Sequence, residues 1–194
     1  GLIGNLFYTS FNDHYYADYR NYEQFYDKFL LLRNSIHKID LFRYWFGDNI
    51  LELDAKICNQ PHQKILGETL VLMTLKYDKN HFLQLVDNGA ATSPGYRKIT
   101  ISGSKGSIHC DDEKVELFIK LPNRKGIWKN HKVKRNRVEF AFNSTLNELI
   151  DAVKKNRQPS NSGDDYIKTL KLVNSAYASS KSKKTLLFNE GEAL

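Results

Sequence analysis

Residues 35–47 read SIHKIDLFRYWFG, and two residues later Ile50–Cys58 reads ILELDAKIC. The first stretch sets Ile36, Ile39, Phe42 and Phe46, with Trp45, at the spacing of one helix face, and Gly47 follows where a helix stops. The second alternates. Leu51, Leu53, Ala55 and Ile57 fall to one side and Glu52, Asp54 and Lys56 to the other, the period-two pattern of a strand. A helix running straight into a strand, with more strands behind, sets the fold class.

Working outward, residues 2–11 predict a strand led by two glycines, and residues 15–29, rich in Tyr and charge, predict irregular chain or a short helix. Downstream, residues 68–77 are apolar on both faces. Residues 82–87 follow Asp78, Lys79 and Asn80, a hairpin turn by composition. Further strands are expected at 97–102, 107–110 and 114–121. The chain then turns helical, with Leu146, Leu149, Ile150 and Val153 on one stripe and Thr145 and Glu148 as a capping box. Ser162 and Asp165 repeat that pattern before Tyr166, Ile167, Leu170, Val173 and Tyr177. Lys181, Lys183 and Lys184 then sit where a helix dipole favours cations, and residues 185–188 predict a last short strand.

The expectation is an α+β fold: a large, mostly antiparallel open sheet with helices packed on one face, residues 1–194 forming one domain. Because several strands look apolar on both sides, the other face is expected to be free for oligomerisation, giving a homo-oligomer.

Composition narrows the class. With 41% hydrophobic and 26% charged side chains, 4 Pro and 11 Gly, the chain has the profile of a globular protein rather than a disordered or collagen-like one. No apolar run approaches the roughly 20 residues of a spanning helix, and no secretory signal pattern opens the chain. Two cysteines, Cys58 and Cys110, are too few for a disulfide framework and predict reduced, half-buried thiols in a cytoplasmic protein. The start at Gly1, without Met, suggests part of a longer chain.

The net charge of +7 is local. Eight of the 29 Lys and Arg lie in residues 120–137 without an acid, leaving 21 basic against 22 acidic side chains elsewhere. Such a run attracts phosphorylated ligands or nucleic acid. It also suits a solvated hairpin, and only Trp128 interleaves it closely; with no RNP, KH or zinc-finger pattern, nucleic-acid binding is the weakest reading.

Gly103, Ser104, Lys105 and Gly106 suggest a phosphate loop, but they join two strands instead of opening a helix, so a hairpin turn is expected. His62, His81, His109 and His131 are scattered and give no metal site. On a helix from Arg33, the residues Arg33, His37 and Tyr44 share one face, with Asp40 a turn from His37. An imidazole there can move a proton while a neighbour fixes its protonation, or it can be an ordinary core histidine.

These stretches carry a family resemblance. SIHKIDLFRYWFG resembles the H-x-x-D-x-x-x-x-x-x-G signature opening the C-terminal domain of the Gfo/Idh/MocA oxidoreductases, on His37, Asp40 and Gly47. GLIGNLFYTSF (1–11) is similar to that domain's first strand, YRKITISGSKGSI (96–108) to its G-x-x-G hairpin, and residues 144–184 to its closing helix pair. The resemblance implies an open sheet with helices on one side and, often, dimers or tetramers through the other. It implies hydride transfer between NAD or NADP and a carbinol carbon of a sugar or sugar nucleotide.

The resemblance also implies an N-terminal Rossmann domain and a Glu-Lys-Pro segment, both absent from this sequence. No dinucleotide binding and no activity are therefore expected of residues 1–194 alone. The signature histidine falls on His37, implying an acid/base or hydroxyl-binding role. Many members carry an aspartate four residues earlier, where this chain has Arg33. Arginine cannot serve as a base but can clamp a phosphate or carboxylate. Asn34, Tyr16 and Arg20 are the further candidates for substrate contact. A relative that kept the fold and lost the base, acting as a binding or scaffold protein, is the alternative.

Overall fold

The computed structural model describes residues 1–17, 21–111, 114–120, 126–132 and 138–188. Strands β1 (Leu6–His14), β2 (Ile50–Cys58), β3 (Leu70–Tyr77), β4 (Phe82–Asn88), β5 (Tyr96–Gly103), β6 (Gly106–Asp111), β7 (Lys114–Ile119), β8 (Ile127–Lys132) and β9 (Leu186–Leu187) form one sheet, ordered β8-β7-β6-β5-β1-β4-β3-β2-β9. Every neighbouring pair is antiparallel except β1 and β4. The helices are α1 (Ile36–Phe46), α2 (Val138–Lys154) and α3 (Gly163–Ser182), with a π-turn at Leu31–Ser35 leading into α1 and a short 3₁₀ turn at Asn21–Phe25. This is the α+β sheet with helices that the sequence predicts.

Strand alternation builds the core. Phe11, Leu53, Ala55, Val71, Met73, Leu75, Leu83, Leu85 and Ile99 point to the helix side and are buried. Against them α1 lays Ile36, Ile39 and Phe42, and α3 lays Leu172, Val173 and Ala176. The Phe11 and Phe42 rings meet edge-on at 5.7 Å. Gly47 ends α1 at φ 84°, a left-handed backbone that glycine adopts without strain, and its amide donates to the Arg43 carbonyl at 2.8 Å.

The edge of β2 is closed in two ways. The short β9 pairs only with Glu52 and Leu53, and beyond it Ala55 N and Ile57 N donate to Ser179 Oγ and Ser180 Oγ of α3, both at 3.0 Å. Those hydroxyls remove donors that would otherwise invite another strand. The Gly103–Gly106 link is a hairpin turn, as expected. A Cβ on Gly106 would lie 2.1 Å from the Phe118 carbonyl oxygen, so close strand approach explains that glycine, and no phosphate is needed.

Three expectations need correction. The outer sheet face is not generally apolar. By register it carries Glu52, Asp54, Lys56, Thr74, Lys76, Gln84, Asn12, Lys98, Thr100 and Ser107, and its apolar residues include Tyr8, Leu70, Leu72, Phe82 and Val86 on β1, β3 and β4 and Phe118 on β7. Thr145 and Glu148 do not cap a helix start, because α2 already runs from Val138; Glu148 instead accepts from Arg157 and from Ser160 N. Cys58 is exposed rather than half-buried, since its parity puts it on the outer face.

On α2 the residues Phe142, Leu146, Leu149, Ile150 and Val153 are 48–72% exposed. No helix among the described residues is long and apolar enough to cross a membrane. Much of the basic run at 120–137 falls outside the described residues; its described part includes β8, paired to β7.

Candidate active site

The site begins where the chain enters α1. Two residues before the π-turn, the Glu68 carboxylate reaches across from the start of β3. It accepts Phe29 N at 3.0 Å, Leu31 N at 2.9 Å and the Tyr177 hydroxyl at 2.5 Å. Helix-start amides lack intrahelical partners, so a buried anion here fixes the first turn in place. The π-turn adds a residue to one turn, a distortion often found at functional sites. Along the π-turn and the start of α1, Ser35, Ile36, Lys38 and Ile39 are buried, while Arg33 and His37 emerge.

His37 stands between two hollows. One, about 380 Å³, is lined by Tyr15, Ala17, Phe29, Leu30, Arg33, Asn34 and His37. The other, about 390 Å³, runs from His37 past Asp40 and Tyr44 to Ser160, Asn161 and Asp165. The imidazole is exposed and has no hydrogen-bond or ion-pair partner among the described residues. Arg33 Nη1 pairs with the buried Glu23 carboxylate at 2.7 Å, and its guanidinium lies 5.1 Å from the Phe29 ring centre. That pairing aims the side chain while leaving it about half exposed, with other N–H donors for a ligand. Asn34 Nδ2 donates to the Tyr15 hydroxyl.

Directly beneath lies a buried charge cluster. Lys38 Nζ sits 2.8 Å from Asp13 Oδ2 and 2.6 Å from Asp87 Oδ2. Ser35 Oγ donates to Asp87 Oδ2 at 2.7 Å, and Arg97 Nη2 to Asp13 Oδ2 at 2.9 Å. Two bases and two acids cancel. Burial alone would raise the Asp13 carboxyl, but the hydrogen bonds and charges of Lys38 and Arg97 outweigh it and hold Asp13 below the usual carboxylate range. The cluster bolts the first turn of α1 to β1 and β4, and the Lys38 ammonium also lies 5.5 Å from the Tyr15 ring centre.

The structure brings His37, Arg33 and Asn34 together, and His37 and Tyr44 share a rim, as the spacing predicts. Asp40 does not orient His37. It accepts Thr169 Oγ1 at 2.8 Å and lies 3.5 Å from Arg43, which also holds Asp48 and Asp165, so this aspartate ties α1 to α3. Tyr16 lies elsewhere, 63% exposed, bridging to Ala90 and lining a neighbouring hollow. Arg20 lies outside the described residues. The aromatic at the site is Tyr15. Phe11, Asp13 and Tyr15 share a parity, and that alternation is the signal that could have chosen Tyr15 over Tyr16.

The profile of the oxidoreductase family's C-terminal alpha/beta domain matches residues 3–187. The chain belongs to the Gfo/Idh/MocA oxidoreductases. Solved structures share the fold of this Gfo/Idh/MocA domain. An oxidoreductase from Agrobacterium radiobacter, in complex with NAD+, L-tartaric acid and magnesium, has TM-score 0.80 and 21% identity over 96% of this chain and 58% of its own. Levoglucosan dehydrogenase, in complex with NADH and L-sorbose, has TM-score 0.82 and 13% identity over 98% and 60%. The WlbA dehydrogenase from Bordetella pertussis, in complex with NADH and UDP-GlcNAcA, has TM-score 0.75 and 16% identity over 97% and 57%. The chain thus spans about three fifths of the length of these proteins. A search of curated protein sequences finds no match.

A nicotinamide dinucleotide, which the Gfo/Idh/MocA family implies, does not fit at the start of α1. Dinucleotide phosphates sit at glycine-rich turns that open a helix. The approach to α1 carries no glycine, and its amides at Phe29 and Leu31 are already taken by Glu68.

Proposed function

We propose that this chain is the substrate-binding and oligomerisation domain of an NAD(P)-dependent oxidoreductase acting on a sugar or sugar nucleotide. A separate domain holds the dinucleotide. The observation that carries this reading is His37, a partner-free imidazole among the described residues, on a rim between two hollows with Arg33 and Asn34 beside it. An imidazole in that setting can take the proton of a substrate hydroxyl, or return it. Arg33 offers charged donors to an anionic or hydroxyl oxygen, and Asn34 adds an amide.

Support for the substrate class comes from the neighbours, whose named ligands include L-sorbose and UDP-GlcNAcA. Two free cysteines accord with a cytoplasmic setting. The test is His37→Ala in the full-length protein. Turnover should fall by about 10²–10⁴-fold, the usual worth of a positioned acid/base, while thermal stability stays near the parent's, because an exposed side chain is lost. Turnover at the parent level would remove His37 from the chemistry and favour the binding-protein reading.

A further inference from the structure

The sheet is covered unevenly on its helix side. Ile101, Ile108, Cys110 and Val115 continue the inward parity of Ile99 across β5, β6 and β7, yet they are only half-buried. They line a hollow of about 680 Å³, larger than either hollow at His37, and the last turn of α1 adds Trp45, 39% exposed, to its wall. The charged side chain in that wall, Arg97, is paired with Asp13 at 2.9 Å. A small-ligand pocket sets several polar groups toward its ligand. An open apolar hollow with one engaged cation instead marks a surface that packs against more protein.

The two glycines that lead β1, Gly1 and Gly4, both line this hollow. Gly4 N donates to Gly1 O at 3.2 Å, closing a tight turn over Leu2 and Ile3. Gly4 takes φ 75°, and a Cβ there would lie 2.3 Å from Ser104 Oγ, so glycine is required twice over. The segment is fastened to the β5–β6 hairpin: Lys105 N donates to Ile3 O at 2.8 Å and Ser104 N to Asn5 O at 2.9 Å. A turn in this place reverses the chain just before β1. Chain entering it lies back along the sheet rather than off its end. The last described strand, β9, is at the opposite edge, beyond β2.

We propose that the hollow seats an amphipathic segment of the chain immediately preceding Gly1, its apolar side packed on Ile101, Ile108, Cys110 and Trp45. This rests on the reading of the chain as one domain of a longer protein, a reading supported by solved relatives that it covers over only 57–60% of their length. A segment that starts at the hollow's own wall closes a short loop at little entropic cost. A second copy would have to give up translational and rotational freedom to reach the same surface. Seated there, the segment hangs the dinucleotide-holding domain from the β5–β6 hairpin and from α1, the helix that also carries His37.

The test puts the photo-crosslinker p-benzoylphenylalanine in place of Trp45 in the full-length protein. After irradiation, denaturing electrophoresis separates links within one chain from links between copies, and mass spectrometry maps them. The expected product is a link within one chain, from position 45 to a peptide that ends shortly before Gly1. A link to a second copy, links confined to residues 1–194, or no link overturns the proposal. A second measurement keeps Trp45. Ile108→Glu sets a carboxylate in the hollow's floor. Maleimide labelling of Cys110 in the full-length protein should then quicken about tenfold or more, since a buried, unpaired carboxylate outweighs the free energy of a tenfold shift, with far-UV circular dichroism unchanged. An unchanged labelling rate also overturns it, and the crosslink decides alone if that variant does not fold. Neither readout needs turnover, so both can fail while His37→Ala still abolishes activity, and both can succeed with His37 inert.

Discussion

At the scale of single residues, the telling neighbour of His37 is Lys38. One side chain emerges, and the next is sealed between Asp13 and Asp87. Removing one partner of a buried ion pair leaves an uncompensated charge and costs about 3–5 kcal/mol. Lys38→Met keeps the volume, strips Asp87 of its cation and leaves Asp13 with Arg97 alone, so the unfolding free energy in urea should fall by that amount at an unchanged slope. A change below about 1 kcal/mol would mean that the cluster relaxes into water. The same cluster sets an acid limb. Asp13 and Asp48 both have carboxyls below their ordinary values: burial raises each, and Lys38 with Arg97, or Arg43 with Lys168, outweighs it. Unfolded aspartates titrate near 3.9. The stabilisation is therefore complete above about pH 5 and drains away as pH falls through the lower native values, because the unfolded chain binds protons first. Thermal melts from pH 7 to pH 2 should show this limb, and Asp13→Asn should flatten it; an identical limb in the variant would assign acid lability elsewhere. His37 was legible because it sits in a compact motif. Lys38 was not, because both of its partners come from strands distant in sequence, and nothing local distinguishes a buried lysine from a solvated one.

Elements show where local patterns suffice and where tertiary context overrides them. The strand from Ile50 to Cys58 and the helix ending at Gly47 follow from period and cap alone. At residues 145–148, a Thr and a Glu at capping distance mislead. Helix α2 had begun earlier, and Glu148 serves the α2–α3 turn through Arg157, which draws its carboxyl down to about 2. The start of α1 is illegible for the opposite reason: its cap is Glu68, supplied from across the fold rather than from the preceding turn. Glu68→Ala should therefore leave Phe29 N, Leu31 N and the Tyr177 hydroxyl without their acceptor. At about 1–3 kcal/mol for each buried group left unsatisfied, a loss of at least about 2 kcal/mol is expected in chemical denaturation. Glu68→Gln, which retains a carbonyl acceptor, should lose less. Equal losses would show that shape, not hydrogen bonding, is what Glu68 supplies. Neighbouring Gly67 is bound to the same junction, since a Cβ there would lie 2.7 Å from the Tyr26 carbonyl oxygen.

The whole molecule turns on which surfaces remain open. Period-two reading made both sheet faces greasy because it weighed strands singly. Once register is set, the polar positions of β2 fall beside Thr74 and Lys76 of β3, those of β5 beside those of β6, and the outer apolar residues reduce to a few on β1, β4 and β3 with Phe118 on β7. These residues fall in two clusters: Tyr8 is opposite Phe82 in β4, Val86 is opposite Leu72 in β3, and the row Ser10, Gln84 and Thr74 lies between them. Leu72 is 38% exposed and Phe82 42%, so each cluster presents an apolar side chain on the surface. Exposed apolar side chains grouped on an open sheet face suit an interface between subunits, and a two-fold axis through the sheet face would set the clusters against their own copies. If self-association is part of the function proposed here, it centres on these residues. Leu72→Glu would then place like charges face to face across the axis, at several kcal/mol. Sedimentation velocity should show the parent associated at micromolar concentration and Leu72→Glu monomeric, with far-UV circular dichroism unchanged. Because the substitution lies on the face opposite α1, it should leave ligand binding at His37 intact; a parent that sediments as a monomer at every concentration would remove the outer face from the account.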